Sequence, residues 1–172
     1  PQPFDRFDMT DRTVIVTGGT RGIGLALAEA YLAAGANVVV ASRKAEAVED
    51  AVGRLGGAVL GVATHMGDLD AVSALVDQTV DRFGGIDVVV NNAANALAQP
   101  VGAFTADAWA KSFDVNLRGP VFLIQAALPH LTASEHAAVL NVVSAGAFMF
   151  SAGLSMYAAG KAALMSFTRS MA

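Results

Sequence analysis

The sequence predicts an α/β domain built on a doubly wound parallel sheet. Three features carry that prediction: short β-branched runs that are apolar on both faces, Ala-rich segments of helical spacing that alternate with them, and glycines where those segments should stop. Apolar runs without alternation indicate strands covered on both sides, as in parallel sheets. They fall at Thr13 to Thr17, Asn37 to Ala41, Ala58 to Val62, Ile86 to Asn91 and Ala138 to Val143. Between them, helical spacing predicts helices over Ile23 to Ala34, Ala45 to Leu55, Asp70 to Phe83 and, as one long element, Ala106 to Leu131, with a last helix from Tyr157 to Met171. Gly35 and the pair Gly84-Gly85 stand where the first and third helices should end. Right-handed crossovers then place helices on both faces of the sheet. No repeat, low-complexity stretch or linker divides the chain, so 1–172 is expected to be one domain with a short N-terminal arm over 1–10.

Composition narrows the function classes. With 172 residues, 54% of them hydrophobic, and a mean hydropathy of +0.50, the chain can bury a full core. It has no cysteine, which excludes a disulfide framework and fits a reducing, cytoplasmic setting. His65, His130 and His136 show no ligand spacing, and no metal site is expected. A net charge of -4 and 11 scattered basic residues argue against a nucleic-acid surface, which needs clustered Lys and Arg. No apolar run approaches the roughly 20 residues that span a bilayer, so no membrane partner is expected. Residues Pro1 to Asp8 have neither the apolar core nor the basic flank of a signal peptide.

The most informative stretch is TGGTRGIG, Thr17 to Gly24, set between the first strand and the first helix. A strand that turns through glycines into a helix aims backbone N–H groups and the positive end of the helix dipole at one spot, which suits a phosphate. Gly18, Gly22 and Gly24 fit the three jobs of such a turn: sharp reversal, close backbone approach, and helix packing on the sheet. This predicts a Rossmann-type dinucleotide site, with Thr20, Arg21 and Ile23 in the same loop. At the end of the second strand a dinucleotide fold often carries a carboxylate for the ribose 2′-OH. Here Ser42-Arg43-Lys44 stands instead, with no carboxylate before Glu46. Arg43 and Ser42 can hold a 2′-phosphate, with Arg21 as a second cation, so NADP(H) is the preferred cofactor and NAD(H) a possible one. Read otherwise, these are solvated surface charges.

Tyr157 and Lys161 stand four residues apart, which on a helix puts them on one face. Tyrosine is a poor acid or base at neutral pH, and a nearby ammonium favours its phenolate. Ser144, just beyond the fifth strand, adds a hydroxyl able to hold a substrate carbonyl. Pro120 lies four residues after Asn116, has no N–H to give the Asn116 carbonyl, and predicts a local kink in the long helix.

With TGGTRGIG, Asn91-Asn92-Ala93-Ala94, Asn116, Ser144 and the YxxxK pair in order, the chain resembles the short-chain dehydrogenase/reductase family over essentially its whole length, and within it reductases of the β-ketoacyl carrier-protein type. The resemblance implies an oxidoreductase that passes hydride between NADP(H) and a carbonyl or alcohol substrate. It implies Tyr157 as acid/base, Lys161 favouring its phenolate and binding the nicotinamide ribose, Ser144 orienting the substrate oxygen, and Asn116 holding a water through its main-chain carbonyl. Asn91, Asn92 and Ala93 would line the cofactor pocket. Where many members carry an acidic residue near the adenine, this chain has His65-Met66; His65 would stack on or bond the adenine, or serve as a surface or capping residue. Phe148, Met149, Phe150 and Leu154 read as an apolar wall of the substrate pocket or as core. The chain ends soon after Lys161, so the last strands of the family fold are expected to be absent from it. Oligomers follow from the resemblance as well: a homodimer or homotetramer through the long helix and the tyrosine helix, with Ala126, Ala127, Ala162, Ala163 and Met165 allowing close approach or packing internally. The alternatives are a dinucleotide-binding module without turnover, or an epimerase or dehydratase that uses the nucleotide transiently.

Overall fold

A computed structural model describes residues 7–149 and 152–172. Phe150, named above as part of an apolar wall, lies outside the described residues, as does the first part of the N-terminal arm.

Five parallel strands form one sheet in the order β3-β2-β1-β4-β5: β1 Thr13–Thr17, β2 Asn37–Ser42, β3 Val59–Ala63, β4 Val88–Asn91 and β5 Ala138–Asn141. The expected doubly wound α/β architecture is present. Alternate residues of the central strands feed two separate cores, which is why the runs are apolar without a break. Val14, Val16, Val38, Val40, Val88 and Val90 pack with Ala28 and Ala36 on one face, while Ile15, Val39 and Val89 pack with Val72, Leu75, Leu123 and Ala127 on the other. The first core is covered by α1 (Gly22–Ala33) and α2 (Ala45–Leu55), the second by α3 (Leu69–Phe83) and α5 (Gly119–Ala133). Ala127 is fully buried in this chain's own core, which settles its packing as internal. The helix ends follow local chemistry. Asp68 caps α3 by accepting from the Asp70 and Ala71 amides, and Gly84 closes it in the left-handed region at φ +84°.

The long helix expected over Ala106 to Leu131 is three pieces. α4 covers Ala106–Phe113, a π turn runs over Asp114–Arg118, and α5 begins at Gly119. Pro120 explains the break. With no N–H for an ordinary helical bond, the chain widens by one residue, and the Gly119 N–H reaches back to the Asp114 carbonyl. Gly119 is itself required, because a Cβ there would sit 2.1 Å from the Met66 carbonyl oxygen. β5 is shorter than expected, ending at Asn141, although the Val142 N–H still donates to the Asn91 carbonyl at 2.9 Å. α6 (Ser155–Met171) packs on β5, α4 and the π turn.

Candidate active site

The strand order reverses between β1 and β4, since β2 and β3 lie on one side of β1 while β4 and β5 lie on the other. A crevice opens at the carboxyl ends of strands at such a point. Here those ends are Thr17 and Asn91, and Thr17 organises the crevice. Its buried hydroxyl donates to the Val90 carbonyl at 3.2 Å and accepts from the Asn92 and Ala93 amides at 3.0 and 3.1 Å. Asn92 returns the tie, its Nδ2 donating to the Thr17 and Gly18 carbonyls at 3.0 and 3.2 Å. The glycine turn is pinned from the other side as well: the Gly18 and Gly19 amides donate to the Ala41 carbonyl at 2.7 and 3.3 Å, one residue before Ser42. The structure thus brings Gly18, Ser42, Asn92 and Ala93 to one crevice.

The glycines of the turn answer to geometry: Gly22 has φ +55° with open space around it, and a Cβ on Gly19 would lie 2.9 Å from the Val16 carbonyl oxygen. Gly18 has φ +64°, and a Cβ on it would lie 2.9 Å from Asn92 Nδ2; a Cβ on Gly24 would lie 2.2 Å from the Gly18 carbonyl oxygen. α1 then starts at Gly22 with no side-chain cap from Arg21 and no acidic residue in its first turn. Its first amides are left to water or to an anion, and a cradle of this kind fits the diphosphate of a dinucleotide. Thr20 is partly buried, Arg21 and Arg43 are exposed, and Ile23 is 64% exposed above the turn. His65 is exposed, its Nδ1 accepting from the Gly67 amide at 3.1 Å, whereas Met66 is buried in the core under the sheet.

On the β5 side, Ser144 begins a 3-10 turn over Ala145–Ala147, accepting from the Gly146 amide at 3.2 Å, and that turn packs on α6. Tyr157 lies partly buried in the first turn of α6. Lys161 is 1% exposed, the largest fully buried side chain in the chain's described residues. Its Nζ donates to the Val142 carbonyl at 2.8 Å, two residues before Ser144. Burial pushes its pKa down from 10.5 to about 8, and one of its three donors is used within the protein. A buried ammonium with that much donor capacity fits the hydroxyls of a nucleotide ribose.

Asn116 is also fully buried. Its side chain clamps the loop after β4, accepting from the Asn95 amide at 3.0 Å and donating to the Asn95 carbonyl at 2.8 Å and to Ser112 Oγ at 3.2 Å. The side-chain amide is therefore consumed internally. A Cβ on Gly160 would lie 3.4 Å from the Asn116 Cβ, so α6 meets the π turn between Tyr157 and Lys161. Phe148 and Met149, next to Ser144, are exposed at 64% and 68%, whereas Leu154 is partly buried.

Sequence reading missed Thr17 as a hub, Ser112 and Asn95 as partners of Asn116, and the amide of Asn141. Their signals are faint but present: a threonine at the mouth of an apolar strand, a serine four residues before Asn116, and an asparagine that the parallel register sets opposite Asn91.

The family profile described as short chain dehydrogenase matches residues 12–172. The chain belongs to the short-chain dehydrogenase/reductase family. It is 33% identical over 165 residues to galactitol 2-dehydrogenase of Agrobacterium fabrum, covering 95% of this chain and 64% of that protein. It is 35% identical over 171 residues to human dehydrogenase/reductase SDR family member 4, covering 97% and 62%. A crystal structure of a family member from Brucella melitensis, titled glucose/ribitol dehydrogenase, superposes with a TM-score of 0.91 at 30% identity, covering 96% of this chain and 70% of that one. The chain therefore spans a little under two thirds of the length of these sequence relatives. Family members bind NAD(P)(H), and the crevice described above has the features such a cofactor requires. No described helix is long and apolar enough to cross a membrane.

Proposed function

We propose that this chain carries the nucleotide site and catalytic residues of an NADP(H)-dependent oxidoreductase that interconverts a carbonyl and an alcohol. The single observation behind the reading is the buried Lys161 on the helix of Tyr157, tied to the Val142 carbonyl beside Ser144. When bound, the nicotinamide dinucleotide supplies or takes up the hydride. The protein's part is positioning and proton handling. Ser144 Oγ holds the substrate oxygen by a hydrogen bond; the Tyr157 hydroxyl gives a proton to that oxygen in reduction, and the Tyr157 phenolate takes it in oxidation. The Lys161 ammonium steadies the negative charge that Tyr157 carries after giving its proton, and the π turn at Asn116 offers a main-chain carbonyl to a water that resupplies it.

Preference for NADP(H) is supported by Ser42-Arg43-Lys44 beside the glycine turn and by the lack of a carboxylate there. Arg43 would pair bidentately with the 2′-phosphate, with Arg21 reinforcing it. Titration of protein fluorescence with NADPH and NADH tests this, using Arg43→Ala. The expected result is tighter binding of NADPH and a loss of about tenfold or more in that preference in the variant; equal binding of the two nucleotides, or an unchanged ratio in the variant, would overturn it. We also infer a homo-oligomer built on α5 and α6, supported by Phe122 and Leu128, which are 46% and 47% exposed on α5. A monomer in light scattering would contradict that inference.

A further inference from the structure

Lys161 and Thr168 lie seven residues apart on α6, two helical turns, and so on one face of it. Both close on the same short piece of chain leaving β5. Lys161 Nζ donates to the Val142 carbonyl at 2.8 Å, and Asn141 Nδ2 donates to Thr168 Oγ1 at 2.9 Å. Behind Asn141 stands Asn91, 1% exposed, whose Nδ2 donates to Asn141 Oδ1 at 2.9 Å and to the Pro120 carbonyl at 3.5 Å. The Thr168 hydroxyl passes its own hydrogen to the Leu164 carbonyl at 2.7 Å. The donors thus run one way, from Asn91 through Asn141 and Thr168 into the backbone of α6.

Among the described residues, these are the only two side-chain hydrogen bonds from α6 to β5 and the residue that follows it. The remaining attachment includes apolar packing, with Leu164 fully buried. Apolar contact is non-directional and does not by itself pair one particular residue of the helix with one particular residue of the strand. A hydrogen bond of 2.9 Å does, because a slide of one helical residue, about 1.5 Å, carries donor and acceptor out of reach. The Asn91–Asn141 pair, set opposite each other in the register of β4 and β5, replaces what could have been two more valines in an apolar sheet.

We propose that Asn141 and Thr168 are positioning residues: together they set the axial register of α6 and so hold Lys161, and Tyr157 one turn before it, at the reacting end of the crevice. This rests on the oxidoreductase reading above for its catalytic meaning, while the positional claim is testable without turnover.

The test is nuclear magnetic resonance titration of lysine side chains labelled at Cε, on the full chain. Three lysines are present, Lys44, Lys111 and Lys161, of which the first two are exposed, so the buried one is identified by its own midpoint. In Thr168→Val the Lys161 midpoint is expected to move by about one unit toward that of a free lysine, with kcat falling about tenfold; Thr168→Ser, which keeps the hydroxyl, restores both. Thr79→Val is the control: Thr79 is fully buried and bonds the Leu75 carbonyl as Thr168 bonds Leu164, but on α3, and its loss leaves the Lys161 midpoint in place. Asn141→Ala should shift the midpoint as Thr168→Val does, and it carries the test if the valine variant does not fold. A folded Thr168→Val or Asn141→Ala with the wild-type midpoint would overturn the proposal. A shifted midpoint in a chain that turns over no carbonyl compound would uphold the positioning and sink the oxidoreductase reading instead.

Discussion

The two flanks of the crevice are held by different forces. On the nucleotide flank, β1 and β4 are buried at every position and β2 at its four central ones, and a Cβ added to Gly18, Gly19 or Gly24 of the glycine turn would meet a neighbouring atom at 2.9 Å or less. On the chemical flank, β5 is an edge strand whose burial alternates, with Leu140 43% exposed, and α6 is tied by side-chain hydrogen bonds to its last residue, Asn141, and to Val142 just after it. The first flank should fail by steric collision and the second by loss of a polar partner. The polar ties of Thr17 and Asn92 reinforce a close steric fit on the first flank, whereas on the second the buried Lys161 ammonium hangs on one backbone carbonyl.

Collision gives the largest expected effect. In Gly24→Ala helix propensity favours alanine by about 1 kcal/mol, but the new Cβ would lie 2.2 Å from the Gly18 carbonyl oxygen, a backbone atom that cannot swing away. A net destabilisation of about 3 kcal/mol is expected in urea unfolding, with nucleotide binding lost. Stability equal to the wild type would show that the turn is softer than described.

Next is the clamp. Asn116→Ala strands the Asn95 amide and carbonyl and the Ser112 hydroxyl, and about 2 kcal/mol of stability should go with it; Ser112→Ala, which removes one acceptor, should cost about 1 kcal/mol. Thermal unfolding of the two variants checks the order. If Ser112→Ala were as damaging as Asn116→Ala, the loop contact with Asn95 would not be the main bond.

Lys161 supplies a pH test of the polar flank. Its pKa is lowered from 10.5 to about 8 by burial, so between those values the unfolded chain holds a proton that the folded chain has released. Stability from this group therefore rises with pH across that window and is smallest below about pH 8. Compared with Lys161→Met, the wild type should gain in melting temperature from pH 7.5 to 10, and parallel curves for the two would contradict the burial of the ammonium. The smallest effect belongs to neither flank: Gly53, inside α2 with nothing within 4 Å of an added Cβ, should stabilise the chain by about 0.5 to 1 kcal/mol when changed to alanine.

The nucleotide flank was the more legible in sequence, and the reason is physical. Strands buried on both faces must be apolar throughout, and a turn that lacks space or needs a positive φ favours glycine, so Val14 to Val16 and the glycines between Gly18 and Gly24 declare themselves. α2 was bounded correctly by its spacing alone. The π turn was half legible, since Pro120 announced a break but not its form. Polar ties between distant residues left little trace: nothing near Thr168 points to Asn141, and nothing near Asn95 points to Asn116, because such bonds depend on register between elements rather than on local pattern. The YxxxK spacing placed Tyr157 and Lys161 on one helix but did not foretell that the lysine would be buried on the Val142 carbonyl.

The central claim is that Tyr157 exchanges the proton in a reaction driven from the nucleotide crevice. It is tested most directly by stopped-flow oxidation of NADPH and NADH against a panel of ketones, quinones and β-ketoacyl thioesters, with Tyr157→Phe alongside. Turnover that prefers NADPH and is abolished in the variant, while the variant still binds the nucleotide, is the result expected here. Full activity in Tyr157→Phe, or nucleotide binding with no oxidation by any member of the panel, would contradict it.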